Sequence, residues 1–161
     1  MTENDMPDWA ENTGIEEVDV GDLSDVKDTP PLIPPTKNVK LIIKRISPRQ
    51  SEDAKWRWIN LGLQLVDGIG EEGKYKNMYV NSKNIAYYAD KEQYPNGFRQ
   101  GPLAELQRAT NTIGSKINND WIDAIRDTII LAEIKQEEDK YRGEIVNVAR
   151  YFKPVPEDQL V

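Results

Sequence analysis

The segment Trp56–Val66 constrains the fold more than any other part of the chain, because its aliphatic side chains recur at every second position. Successive side chains of a β-strand point to opposite faces, so this spacing predicts a long strand with one aliphatic face. The aliphatic positions are Ile59, Leu61, Leu63 and Leu65. The opposite face carries Trp56, Trp58, Asn60, Gly62 and Gln64. We expect the aliphatic face to line the core and the two tryptophans to point outward.

Four other segments show strand patterns, at 39–46, 75–80, 128–135 and 141–152. In the first of them one face carries Val39, Leu41 and Ile43. Its other face carries Lys40, Ile42, Lys44 and Ile46. Polar or glycine-rich turns are predicted at 47–55, which contains Pro48, and at 68–73 and 137–140. The second and third strands therefore form a predicted hairpin.

Two short helices are predicted between the third and fourth strands. Pro102 suits the first turn of a helix that runs to about Asn111, with Leu103, Leu106 and Thr110 facing inward. Asn118 or Asn119 is expected to cap a second helix, which buries Trp121, Ile122 and Ile125. Its predicted range is 120–126. The tyrosine-rich residues 81–100 predict no regular element. This order of elements predicts a mainly β (α+β) fold, a five-stranded Greek-key barrel of the OB-fold type.

The charge of the chain is concentrated at its N-terminus. Residues 1–28 contain ten acidic residues and one basic residue, Lys27, which gives this segment a charge of −9. The net charge of the whole chain is −7, so the remaining residues carry +2. Residues 1–35 are predicted to be an acidic, disordered tail with a proline-rich linker, 36–156 the OB-fold-like domain and 157–161 a short C-terminal tail. Within the acidic tail, Met6–Trp9 is either an apolar anchor for a partner or a segment that is solvated or folds back.

Composition excludes most enzyme classes. The chain has no cysteine and no histidine, which removes thiolate nucleophiles, disulfides, sulfur-bound zinc and the commonest general base. The segment Asp67–Lys74 lacks the spacing of a phosphate loop or a calcium loop and favours a hairpin turn. Glu137–Asp139 favours a solvated turn, although magnesium binding there stays open. We expect a non-enzymatic, cofactor-free cytoplasmic protein with no membrane partner, since the sequence shows neither a spanning run nor a signal peptide.

Aromatic and basic residues alternate around the second predicted strand. The candidate nucleic-acid-binding residues are Trp56, Trp58, Arg57, Lys55, Lys44, Arg45, Arg49, Lys74, Lys76, Tyr75 and Tyr79. Cations that track phosphates and rings that stack on bases are typical of surfaces that bind single strands without reading their sequence. Two other interpretations remain open. The tryptophans can belong to a small satellite core, and the cations can be an ordinary solvated strand face.

Several short motifs resemble small OB-fold proteins of bacteriophage replication modules, some of which bind single-stranded DNA. The motifs are Pro34–Pro35, Trp58–Leu61, Val66–Gly68, Tyr141–Val148 and Tyr151–Pro154. The resemblance implies a cofactor-free protein that coats single-stranded DNA, with Trp56, Trp58 and Tyr79 on the binding side. Two features depart from the family pattern: Arg126–Asp127 replaces a glycine–lysine pair before the fourth strand, and the acidic tail is N-terminal instead of C-terminal.

These observations predict sequence-independent binding of single-stranded DNA, or RNA, in phage-type replication or recombination. The acidic tail would restrain that binding or recruit replication proteins. A protein-binding module that uses the same aromatic surface is the alternative, favoured by a body charge of only +2. A magnesium-dependent nuclease is a third class, and the sequence offers it no convergent acidic cluster. Oligomeric state and base preference do not follow from the sequence.

Overall fold

A computed structural model describes residues 17–24, 31–66, 73–95 and 100–159. The chain divides into two units, Met1–Pro31 and Leu32–Val161. In the first unit, two aspartates close short turns: Asp19 Oδ1 accepts a hydrogen bond from the Gly21 N–H at 2.8 Å, and Asp22 Oδ1 accepts one from Ser24 at 2.9 Å. The rest of the predicted disordered tail, at 1–16 and 25–30, lies outside the described residues.

Within its described residues, the second unit has six strands and two α-helices. Their order is β1 Thr36–Gln50, β2 Trp56–Leu65, β3 Tyr79–Ser82, β4 Ile85–Ala89, α1 Gly101–Ala109, α2 Asn119–Ile125, β5 Ile129–Asp139 and β6 Glu144–Pro154, followed by a 3₁₀ helix at Glu157–Gln159. The predicted helices are confirmed to within a few residues. The strand β4 lies in the segment for which the sequence predicted no element.

Strand pairing closes the sheet into a barrel. Strand β1 is antiparallel to both β2 and β5, β5 is antiparallel to β6, β6 is parallel to β3, and β3 is antiparallel to β2. Five strands thus form a ring in the order β1, β2, β3, β6 and β5. The sixth strand, β4, continues along β2 beyond the end of β3. The predicted OB-fold-like barrel is confirmed, with one extra strand.

The predicted core faces are also confirmed. Val39, Leu41 and Ile43 of β1 and the four aliphatic residues of β2 are all buried in one cluster. Helix α1 adds Leu106 to this cluster, and α2 adds Trp121. The Asn118 Oδ1 atom caps α2 by accepting a hydrogen bond from the Trp121 N–H at 2.9 Å. An asparagine at this position satisfies one of the N–H groups that a helix start leaves unpaired.

Three strand boundaries lie four residues from their predicted positions, and the last strand begins at Glu144 instead of residue 141. Strand β1 continues through Pro48, which the sequence prediction had assigned to a loop. The strand tolerates a proline here because β5 pairs with β1 only as far as Ile42, so the edge beyond that residue is open and needs no N–H donor. The third strand begins at Tyr79 instead of residue 75, after Asn77 takes a left-handed φ of 69°. The acidic segment Glu137–Asp139 is not a turn: it belongs to β5 and pairs with the start of β6.

The segment before β1, assigned to the linker, contributes to the core. Ile33 is fully buried. Its N–H donates to Asn147 Oδ1 at 2.8 Å, and its carbonyl accepts a hydrogen bond from Gln136 Nε2 at 3.0 Å. Gln136 and Asn147 face each other across β5 and β6, so these two side chains together hold the backbone of Ile33. The folded domain therefore begins before the predicted boundary at residue 36.

Candidate nucleic-acid interface

A bulge in β1 determines which of its basic residues face outward. Ile43 pairs with Leu63, but Arg45 and not Lys44 is the partner of Gly62. The extra residue shifts the alternation by one position, so Arg45 lies on the outer face and Ile46 packs against the core. The sequence pattern had assigned Ile46 to the outer face, because a bulge cannot be read from simple alternation.

Beyond the bulge, β1 and β2 place polar side chains opposite one another on the outer face. Ser47 pairs with Asn60, and Arg49 pairs with Trp58. Strand β3 extends this surface, since Gly62 pairs with Asn81 and Gln64 pairs with Tyr79. Residues directly opposite in an antiparallel pair share a face. We call this outer surface of β1, β2 and β3 the arginine face.

The arginine face depends on a close approach at Gly62. A Cβ atom at this position would lie 3.0 Å from Arg45 Nε and 3.1 Å from Arg45 Cβ. The absence of a side chain lets Arg45 lie across β2, where its guanidinium carbon is 5.5 Å from the centre of the Tyr79 ring. Tyr79 is 46% exposed. This ring therefore offers a solvent-accessible aromatic surface beside a guanidinium.

A shallow groove of about 250 Å³ runs along the arginine face. Its lining residues are Arg45, Ser47, Arg49, Asn60, Leu61, Gly62 and Asn81. The lining contains two cations and no acid. Within the described parts of the chain, neither arginine forms an ion pair, and Asn60 Oδ1 is shielded from solvent without a hydrogen-bond partner. The groove thus presents positive charge that no described acidic residue neutralises.

Both tryptophans are partly buried. The Trp56 ring centre lies 5.0 Å from that of Tyr94, with the ring planes inclined at 50°. Trp58 lies between Arg49 on β1 and Ala86 on β4. Trp56 accordingly packs against Tyr94 outside the barrel core, which agrees with the interpretation that its ring is covered by the tyrosine-rich segment. Trp58 is the strand partner of Arg49, which lines the groove, and is only partly exposed.

The structure places the remaining predicted residues elsewhere. Arg57 lies on the opposite side of β2 from the tryptophans, with its guanidinium carbon 4.7 Å from the Tyr88 ring centre. Lys44 forms an ion pair with Asp127 at 3.1 Å. Lys55 precedes β2 and lies in the turn after β1. The turn before β3 contains Lys74, Lys76 and Tyr75. Of the predicted set, the arginine face brings together Arg45, Arg49, Trp58 and Tyr79.

Sequence reasoning missed the small polar residues of the groove. Asn60 and Gly62 alternate with the tryptophans along β2, so their outward position was visible, but nothing in the sequence marks them as neighbours of Arg45. Ser47 was assigned to a loop. Asn81 lies in β3, but the predicted third strand ended one residue before it, at residue 80. Only the pairing of three strands shows that these side chains line one groove.

The turn between β1 and β2 is held by Asp53. Hydrogen bonds from the Ser51 hydroxyl and the Lys55 backbone N–H lower the pKa of this carboxyl below its ordinary value. Among the described residues, no cluster of three or more acidic side chains is arranged to hold a metal ion. In the same residues, no helix has the length and apolar character needed to cross a membrane.

Comparison of the chain with models of protein families finds no match, and comparison with curated proteins finds none.

Proposed function

We propose that this protein binds single-stranded nucleic acid along the arginine face. The observation that carries the proposal is the groove. Its two arginines form no ion pair with any described residue, its lining contains no acid, and the exposed Tyr79 ring lies beside Arg45. On OB-fold barrels the face around the second and third strands, with the adjoining loops, is a common oligonucleotide surface. The fold and the local chemistry therefore favour the same surface.

Each part of the groove has a definite task in this proposal. Arg45 and Arg49 contact phosphates, while Tyr79 and the accessible part of Trp58 stack on bases. Stacking is worth about 1–3 kcal/mol per base and tolerates every base, because all four have a π face. Binding that depends on these contacts is independent of sequence and weakens as salt rises.

The biological role that fits this activity is the coating of single strands during phage-type DNA replication or recombination, in the host cytoplasm. The absence of cysteine and histidine supports a binding role over a catalytic one. In this proposal the acidic residues 1–28 recruit basic replication proteins or compete with the strand for the arginine face.

A protein-binding role is the second candidate, and a different surface favours it. Arg57 and Tyr88 form a cation–aromatic pair at the edge of the sheet, and Tyr88 is 40% exposed. Tyrosine, tryptophan and arginine are enriched in the residues that dominate protein interfaces. A partner bound at this edge would leave the arginine face untouched.

The test is a fluorescence titration of the full chain with a short oligothymidine at two salt concentrations. The variant Arg45→Ala/Arg49→Ala should bind more weakly, with a log–log salt slope shallower by about 1.4, since each phosphate contact on a single strand contributes about 0.7. Tyr79→Ala should weaken binding by about 5–150-fold, which corresponds to the loss of one stacking contact.

Arg108→Ala is the matched control, because Arg108 is an exposed cation on α1 and lies outside the groove. It should leave affinity almost unchanged. Equal binding by the groove variants and the control would rule out the arginine face. The absence of any oligonucleotide binding at low salt would favour the protein-binding role.

A further inference from the structure

Strand β5 is flanked by two bulges at the same level of the barrel. On β1, the pairs Thr36–Ile134 and Val39–Ala132 leave two residues opposite Glu133. On β6, the pairs Arg150–Glu133 and Lys153–Leu131 leave two residues opposite Ala132. Bulges of this kind redirect side chains and are frequent next to functional sites. Here they open the outer surface of the barrel on both sides of one short stretch of β5.

Each bulge contains a residue in the left-handed region. Asn38 has a φ of 56° and Tyr151 a φ of 60°. Asparagine tolerates this conformation, whereas a bulky residue such as tyrosine rarely adopts it. Such strain persists only where the surrounding structure enforces it, and it concentrates at functional sites. In β6 the bulge sends Phe152 into the core and leaves the Tyr151 ring 42% exposed.

Two adjoining cavities share Tyr151 and Glu105 of α1 as walls. The larger, of about 330 Å³, has Leu131 and Ala132 at β5 and Lys37 and Lys153 on the flanking strands. The smaller, of about 120 Å³, lies toward Lys83 and Arg150. We call the larger cavity the Tyr151 cavity. Its volume is at the lower end of the range for small-molecule sites.

Some basic side chains around the Tyr151 cavity form ion pairs within the protein, and others are available to a ligand. Glu137 Oε1 accepts from Lys83 Nζ at 3.0 Å and from Arg150 at 3.1 Å, so both cations are engaged by one carboxylate, whose single charge balances one of the two. Arg150 and Lys135 lie 5.2 and 5.5 Å from the centre of the Tyr151 ring, and both help to hold the ring in place. Within the described residues, Lys37 and Lys153 form no ion pair, and both are exposed.

We propose that the Tyr151 cavity binds a nucleotide, with the base against the Tyr151 ring and the phosphate at Lys37 and Lys153. An aromatic ring, an apolar floor at Leu131 and two free lysines match the base, the sugar and the anionic group of such a ligand. Glu133 and Glu105 supply acceptors for the amino group that adenine, cytosine and guanine carry and that thymine lacks. The ligand is a free nucleotide or one nucleotide of a bound strand.

This site is distinct from the arginine face. The Tyr151 cavity and the groove of the arginine face share no lining residue. Binding at the Tyr151 cavity therefore does not depend on the function proposed above, and either can fail without the other. It would also introduce base preference into a protein whose arginine face has none.

The test is calorimetric titration of the full chain with adenosine 5′-monophosphate, with ribose 5-phosphate as the ligand that lacks a base. Tyr151→Asn removes the ring and keeps a residue suited to the left-handed backbone, and it should weaken binding by about tenfold. Lys37→Ala/Lys153→Ala should weaken it as well. Tyr151→Phe keeps the ring and should retain an affinity close to that of the wild type. Tyr141→Ala is the matched control, because Tyr141 is a fully exposed tyrosine that lines neither the Tyr151 cavity nor the groove of the arginine face, and it should bind like the wild type. Thermal unfolding of each variant checks that the barrel is intact.

Three results would overturn the proposal: no binding of adenosine 5′-monophosphate at millimolar concentration, equal affinity for ribose 5-phosphate, or unchanged affinity in Tyr151→Asn. If Tyr151→Asn does not fold, the lysine variant and ribose 5-phosphate still decide. Competition with an oligodeoxyadenosine identifies the source of the ligand. If the oligonucleotide displaces adenosine 5′-monophosphate from the Arg45→Ala/Arg49→Ala variant, the Tyr151 cavity takes one nucleotide of a bound strand. If it does not, the cavity takes a free nucleotide.

Discussion

Gly62→Ala tests the arginine face without removing any charge. The added Cβ would lie 3.0 Å from Arg45 Nε and 3.1 Å from Arg45 Cβ. Contacts of this length require the neighbour to move by a few tenths of an ångström, and the flexible Arg45 side chain moves more easily than the strand backbone, so the guanidinium is displaced from its position beside the Tyr79 ring. The variant keeps the net charge of −7, and long-range attraction of a nucleic acid is therefore unchanged.

Two effects of different size are expected from Gly62→Ala. The crowded contact and the lost cation–aromatic pair should lower the free energy of unfolding by about 1–3 kcal/mol. Loss of one positioned phosphate contact should make the log–log salt slope of oligothymidine binding shallower by about 0.7. Fluorescence titration over a range of salt concentrations measures the slope, and urea unfolding measures the stability.

Gly101→Ala is the control for this experiment. Gly101 begins α1, and a Cβ built there has no atom within 4 Å. It should change neither the salt slope nor the affinity. If Gly62→Ala binds with the wild-type slope, Arg45 does not contact phosphate from its position over β2, and the reasoning about the groove is wrong.

Three further predictions concern the fold. Ile33→Ala should cost about 2–5 kcal/mol in urea unfolding because the residue is fully buried, whereas the 41% exposed Leu32, changed to alanine, should cost far less. Asn118→Ala should lower stability by about 1 kcal/mol through loss of the α2 cap, with Asn119→Ala, one residue inside the helix, as its comparison. The lowered pKa of Asp53 gives stability that is present above the ordinary pKa of the group and is lost as pH falls through the folded-state value. Asp53→Asn should therefore reduce the loss of stability measured on acidification.

The arrangement of the arginine face was only partly predictable. The sequence identified Arg45, Arg49, Trp58 and Tyr79 as candidates, and these four share the outer face of β1, β2 and β3 in the structure. It also grouped Lys44 with them, although that lysine is paired with Asp127 near the start of β5. An ion pair between residues so far apart in the chain depends on how strands are arranged, and local spacing carries no information about it.

Alternation of aliphatic and polar residues determined the core faces of β1 and β2, because the twofold period of a strand is a local property of the backbone. Pro102 and Asn118 likewise determined where the helices begin, since the orphan N–H groups of a first turn lie within a few residues of each other. These features survive in the structure because they need no distant partner.

Only the tertiary structure decided the features that depend on pairing between strands. The bulge that turns Arg45 outward, the left-handed backbone of Tyr151 and the burial of Ile33 each arise where two or three strands must fit together. A one-residue shift in register reverses which side chains face the core, and nothing within a single strand records that shift. For the same reason, the groove of the arginine face and the Tyr151 cavity could be located only in the closed barrel and not in the sequence.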